Sequence, residues 1–168
     1  MINQIRKPAT HKRYGAMAVL ALLIAAGCSA EAPPETPAAD TSTMVVYHDP
    51  NCGCCSKWIE HLEQHGFAVE AVQETDMNAI KRRLGVPENL PSCHTATIGD
   101  YVIEGHVPAE DVQRLLAEKP DIAGIAVPGM PIGSPGMEHG DTRHAFDVVS
   151  FDEAGRTTVF NHYPAIME

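Results

Sequence analysis

Three cysteines fall within four positions in Asn51-Cys52-Gly53-Cys54-Cys55, and a fourth, Cys93, lies downstream. A thiolate is both a nucleophile and a soft metal ligand, so the cluster supports two chemistries. Cys52 and Cys55 have the C-x-x-C spacing of a thiol-disulfide oxidoreductase, with Cys52 as nucleophile and Cys55 as resolving thiol. Cys52 and Cys54 have a C-x-C spacing suited to sharing metal ions. Cys54 favours the second chemistry, because a redox pair needs two cysteines and a third invites scrambling in an oxidising compartment. The side chains of adjacent Cys54 and Cys55 diverge, which suits neighbouring ions bridged by thiolates and predicts a multinuclear site. Zn²⁺ takes four ligands in a tetrahedron, whereas Cu(I) accepts two or three soft donors and forms thiolate-bridged clusters. The sulfur donors point to Cu(I); a zinc-stabilised structural module is a third reading.

Further donors are spread along the chain. His94 adjoins Cys93, and His106 sits in the turn Gly105-His106-Val107-Pro108. Met130 and Met137 lie on a Gly/Pro-rich stretch, where a thioether is either a soft ligand or a lid packed over a groove. A histidine is more often a surface or hydrogen-bonded residue than a ligand. His48 is a weaker candidate, and His61, His65, His139, His144 and His162 read as solvated or loop residues. Asp49 reads as a turn former and Trp58 as core.

The elements that must position these groups follow from periodicity. Residues 44–47 form a short apolar run ending at Asp49-Pro50-Asn51, which predicts a buried strand. Over 53–65, Cys55, Trp58, Ile59 and Leu62 share one helical stripe, stopped by Gly66. The cysteines therefore sit at a strand-to-helix turn, where free N–H groups and the helix dipole favour thiolates; all three are expected to be unusually acidic. A strand over 67–72, a helix capped by Asp76, a hairpin about Gly99-Asp100 and a helix opened by Pro108 follow. The order β-α-β-α-β-β-α predicts an α/β, thioredoxin-like fold. In such a fold a loop with a cis proline brings Cys93, after Pro91-Ser92, against Cys52. Residues 121–144 are dominated by Gly and Pro and predict a loop without regular elements. A second hairpin, over 146–151 and 157–160, extends the basic fold.

At the N-terminus four basic residues precede the apolar run 16–26, which is too short for a permanent span and reads as a secretory signal over 1–27. It ends Ala25-Ala26-Gly27-Cys28, similar to the lipobox at which bacterial lipoproteins are cut and acylated. Cys28 is the expected lipidated N-terminus, with Ser29 directing the anchor to the outer membrane, in the periplasm. Residues 28–43 are rich in Pro, Ala and Thr and read as a disordered tether, which leaves 44–168 as the folded domain. Losing four basic and no acidic side chains with the leader takes the formal charge from −10 to −14. That argues against nucleic acid as a partner. The triplet Lys81-Arg82-Arg83 reads as a solvated helix face.

Four segments resemble one family. They are 47–58 with C-G-C-C, Pro91-Ser92-Cys93-His94-Thr95-Ala96, 101–108 with E-G-H-V-P, and 122–137 with A-V-P-G-M-P-x-G-S-P-G-M. Together, across 44–163, they resemble the CopG-like copper-resistance proteins, a thioredoxin-like bacterial family known as domain of unknown function 411. The resemblance implies copper binding at Cys52, Cys54, Cys55 and Cys93, with the family's histidine and methionine positions matching His94, His106, Met130 and Met137. It implies copper ions and other periplasmic copper-handling proteins as partners. Membrane contact only through the lipid anchor rests on the export signal, which lies outside these segments, and Cu(I)/Cu(II) redox cycling is expected from the mixed thiolate and imidazole donors.

Overall fold

The computed structural model of the chain describes residues 43–167. The expected leader, Cys28 and the tether up to residue 42 lie outside the described residues. Within them the order is β1 (Met44–His48), α1 (Gly53–Gln64), β2 (Val69–Gln73), α2 (Met77–Arg83), β3 (His94–Ile98), β4 (Tyr101–Glu104), α3 (Ala109–Glu118), β5 (Gly124–Ala126), β6 (Phe146–Phe151) and β7 (Thr157–Tyr163). No helix among the described residues is long and apolar enough to cross a membrane.

The strands form one mixed sheet in the order β2-β1-β3-β4-β5-β6-β7. β1 and β2 are parallel and need a crossover, which α1 provides. β3 returns antiparallel beside β1, and β4 follows across the Gly99-Asp100 turn. The expected β-α-β-α-β-β-α order is present. One expectation fails: residues 121–144 contain β5, parallel to β4 and antiparallel to β6, which joins the last hairpin to the sheet. Its run Ile122-Ala123-Gly124-Ile125-Ala126-Val127 has the near-continuous apolar character of a strand buried on both faces. The glycines and prolines that follow hide that signal.

Alternation along the strands sorts side chains onto two faces. Met44, Val46, Ala96, Ile98 and Ile103 pack with Trp58 and Leu62 of α1 and with Val112 and Leu115 of α3. Val102, Ala126 and Phe151 face the other way, against Leu90 and Leu84 at the end of α2. Each fully buried aliphatic side chain contributes about 1.5–3 kcal/mol, so the larger α1/α3 cluster supplies most of the stabilising burial.

The helix ends are secured differently. Asp76 caps α2 by accepting the Ala79 N–H at 3.0 Å. Pro108, at the N-cap of α3, makes no side-chain cap bond. His61 of α1 takes that role: its Nε2 accepts the Ala109 N–H at 3.1 Å. His61 is thus half-buried and structural, not a solvated residue.

Burial and the adjacent His65 hold the His61 pKa below the ordinary 6.5, against the opposing pull of Glu110 and Glu138. Because only the folded chain depresses this value, the stabilisation is fully present above pH 6.5 and is lost as pH falls through the folded pKa. The bond is worth about 1 kcal/mol by analogy with other helix caps. Urea midpoints of the metal-free protein should therefore fall between pH 7.5 and 5.5. His61→Gln, which keeps an acceptor but does not titrate, should fall less. Equal slopes for the two proteins would exclude this role.

Candidate metal centre

Asp49 folds the turn after β1. Its Oδ1 accepts the Asn51 N–H at 2.7 Å and its carbonyl accepts the Cys52 N–H at 3.0 Å, which sets Cys52 at the N-cap of α1. Cys54 lies in the first turn, partly exposed, while Cys55 opens the buried stripe. Cys52 and Cys55 are joined in a disulfide, and Cys54 and Cys93 are free. The expectation of three acidic thiols is therefore corrected: two of these sulfurs share a bond and have no proton to lose.

Cys93 comes from the loop before β3. Its Sγ lies 3.7 Å from Cys54 Sγ, which lies 3.5 Å from Cys52 Sγ. All four sulfurs fall within 4.8 Å of one another. The direct contact of Cys93 is thus with Cys54 rather than Cys52. No cis peptide bond occurs among the described residues, so the cis proline expected before Cys93 is absent.

A buried polar network holds this loop instead. Glu104 Oε1 accepts the Ser92 N–H at 2.5 Å and Lys81 Nζ at 2.6 Å, and Oε2 accepts the Thr95 hydroxyl at 2.7 Å. Lys81 also donates to Thr95 Oγ1 at 3.0 Å. Lys81 is buried rather than part of a solvated face, and its charge is balanced in place. Gly105 is essential beside this network. With φ +73°, a Cβ there would lie 2.5 Å from Ser92 Cβ and 2.6 Å from the Val127 carbonyl oxygen, so only glycine lets the His106 turn pass the Cys93 loop.

His106 Nε2 lies 3.1 Å from Cys93 Sγ, and Nδ1 lies 2.8 Å from the Pro135 carbonyl oxygen. A carbonyl only accepts, so Nδ1 carries the proton and the neutral ring turns its Nε2 lone pair toward Cys93. Burial lowers the His106 pKa and favours that neutral form. This is an imidazole ready to bind a metal, with its orientation set by a backbone carbonyl.

His94 differs. Its Nδ1 lies 3.2 Å from Cys93 Sγ, while its ring is fully buried, 4.2 Å from Trp58 and edge-on to His106 at 4.8 Å. Burial first, then the charge of His106, holds its pKa well below 6.5. A metal at Nδ1 would force the ring proton onto Nε2, which has no hydrogen-bond partner. With the proton on Nδ1, His94 instead donates to the Cys93 sulfur. His48 is buried opposite His94 in the β1–β3 register, with Nδ1 against the Asp49 carbonyl, outside the cluster of donors. Burial and the neighbouring Cys54 push the Cys93 thiol up to about 12, so a bound cation must displace its proton.

The Gly/Pro loop closes over this group. At Gly136, with φ +84°, a Cβ would lie 2.8 Å from the Cys54 carbonyl oxygen and 2.9 Å from Trp58 N, so the loop rests on the first turn of α1. Met137 lines an open cleft of about 490 Å³ together with Cys54, Lys57 and Ile132. Met130 is 51% exposed and is not part of that wall. The structure thus gathers Cys52, Cys54, Cys55, Cys93, His94 and His106, brings Met137 to the adjoining cleft and leaves Met130 in solvent. Sequence reasoning did not find the Pro135 carbonyl or the Lys81–Glu104 pair, because neither has a local pattern.

A family described as "Protein of unknown function, DUF411" matches residues 90–137, the stretch from the Cys93 loop to Met137. No curated protein matches the chain. Two solved structures, forms 1 and 2 of the copper resistance protein CopG, are each 50% identical to it with a TM-score of 0.70. Form 1 covers 74% of this chain and 98% of its own length; form 2 covers 73% and 98%. With half its aligned residues identical over almost the full length of those structures, the chain belongs to the CopG-like copper-resistance family marked by domain of unknown function 411.

Proposed function

We propose that this chain is a periplasmic protein, lipid-anchored at Cys28 to the outer membrane, that holds Cu(I) in a cysteine-thiolate site and contributes to copper resistance. The supporting observation is the convergence on Cys93 Sγ of Cys54 Sγ at 3.7 Å and His106 Nε2 at 3.1 Å. Two thiolates and one imidazole meet the low coordination demand of Cu(I). When Cys52 and Cys55 are reduced, two further sulfurs join this set, enough to bridge several ions. Met137 supplies a thioether at the cleft, and His94 steadies the Cys93 thiolate. Thiolates stabilise Cu(I) and imidazoles tolerate Cu(II), so the mixed set suits redox cycling. Relatives at 50% identity are named copper resistance proteins, which supports the same cargo here. Other copper-handling proteins of the periplasm are the natural partners.

X-ray absorption at the copper and zinc edges tests this on anaerobically reduced protein. More than one copper per chain is expected, with short Cu–Cu scattering that Cys54→Ser abolishes. Protein that takes up zinc alone, or no metal, overturns the reading.

The Cys52–Cys55 disulfide favours one alternative, a thiol-disulfide oxidoreductase. That reading requires Cys54→Ser to retain full activity on a disulfide substrate.

A further inference from the structure

We infer that Glu104 is a positioning residue for the metal centre: its buried carboxylate clamps the loop that carries Cys93, and the affinity for Cu(I) depends on that clamp. The inference rests on the copper reading above and assigns a residue that supplies no donor of its own. Ser92 and Thr95 flank the pair Cys93-His94, and both bind the same side chain. Glu104 Oε1 accepts the Ser92 N–H at 2.5 Å, and Oε2 accepts the Thr95 hydroxyl at 2.7 Å. The main chain at this strand end reaches the neighbouring segments. The Gly105 N–H donates to the His94 carbonyl at 3.1 Å, and the His106 turn follows directly. The Glu104 carbonyl accepts the Val127 N–H at 2.9 Å. Two residues further on, the Gly129 N–H donates to the Pro91 carbonyl at 3.1 Å, and the Gly129 carbonyl accepts the Ser92 hydroxyl. One residue thus ties the Cys93 loop, the His106 turn and the start of the Gly/Pro loop into a single frame.

The clamp matters because the donors come from separate elements. Cys54 is fixed by α1, whereas Cys93 and His106 lie outside any helix or strand. Their separations, 3.7 Å between the Cys54 and Cys93 sulfurs and 3.1 Å from Cys93 Sγ to His106 Nε2, hold only while the Cys93 loop stays in place. A loop free to drift would have to be ordered by the ion itself, and that ordering weakens binding. The chemistry of the clamp points the same way. A buried ion pair is replaceable by apolar side chains at little cost in stability, but no apolar side chain accepts the Ser92 N–H. Lys81, 2.6 Å from Glu104 Oε1, balances the charge, and the carboxylate oxygens do the holding.

Two variants separate position from stability. Glu104→Gln keeps an acceptor for the Ser92 N–H and leaves the Lys81 ammonium unbalanced. Lys81→Met/Glu104→Met removes both charges and the acceptor together. Each is prepared as the full chain, reduced, and titrated with Cu(I) against a chelator under anaerobic conditions; metal-free samples give the urea midpoint and the alkylation rate of Cys93. A crossed order is expected. The double variant should be the more stable of the two yet bind Cu(I) about 10–100-fold more weakly than wild type, with Cys93 alkylated faster. Glu104→Gln should be the less stable yet lose less than about tenfold in affinity. Affinity losses that follow the stability losses, or a double variant with wild-type affinity and wild-type alkylation, overturn the clamp. A wild-type chain that takes up no Cu(I) overturns the copper reading and the affinity claim with it, while the Cys93 alkylation rates still decide whether Glu104 holds the loop.

Discussion

Glu104→Ala is expected to lower the unfolding free energy by about 3–5 kcal/mol, the usual loss when one partner of a buried ion pair is removed. The Glu104 carboxylate is fully buried, binds Lys81 Nζ at 2.6 Å and accepts from Ser92 N–H and Thr95 hydroxyl. Without it, the Lys81 ammonium stays in the interior with only Thr95 Oγ1, and the Ser92 N–H loses its acceptor. Since domains are stable by about 5–15 kcal/mol, this one change removes a large share of the total. Urea unfolding with an unchanged slope measures it. The double variant Lys81→Met/Glu104→Met removes both charges while keeping long side chains, and should recover much of the loss. A single-variant loss below about 1 kcal/mol, typical of an exposed pair, would show that the network does not hold the Cys93 loop in place.

Cys93→Ser should weaken Cu(I) binding by more than about 100-fold, since even groups that only orient a metal ligand are worth about 10–100-fold. Serine keeps the shape but replaces the soft sulfur on which Cys54, His94 and His106 converge. The two histidines should separate in the same competition titration against a Cu(I) chelator. His106→Ala deletes the lone pair that the Pro135 carbonyl aims at the site, and should cost about 100-fold. His94→Gln keeps a donor for the Cys93 sulfur and should cost less than about tenfold. The reverse order would make His94 the ligand and refute the tautomer argument built on its unpartnered Nε2.

The α1 stripe of Cys55, Trp58 and Leu62, the Asp49 turn, the Asp76 cap and the Gly99-Asp100 hairpin were all legible in the sequence. Each is decided by residues within a few positions of one another, where helical or strand periodicity and side-chain-to-backbone bonds suffice. The same locality placed the cysteines at a strand-to-helix turn. β5 was missed although its apolar run was visible, because strand identity there depends on neighbours β4 and β6 rather than on flanking residues. Neither the burial of Glu104 at the end of β4 nor its partner Lys81 could be read from spacing.

By itself, then, the sequence determined the element order, the cysteine, histidine and methionine types available to a soft metal, and the segments that mark the family. Only the tertiary structure decided that Cys52 pairs with Cys55, that Cys93 meets Cys54, and that Lys81 of α2 reaches Glu104 of β4. It also decided which nitrogen of His106 faces the site, through a carbonyl 29 residues away. These outcomes depend on where the sheet register and the Gly105 and Gly136 close approaches bring distant backbones together, and local periodicity carries no record of that.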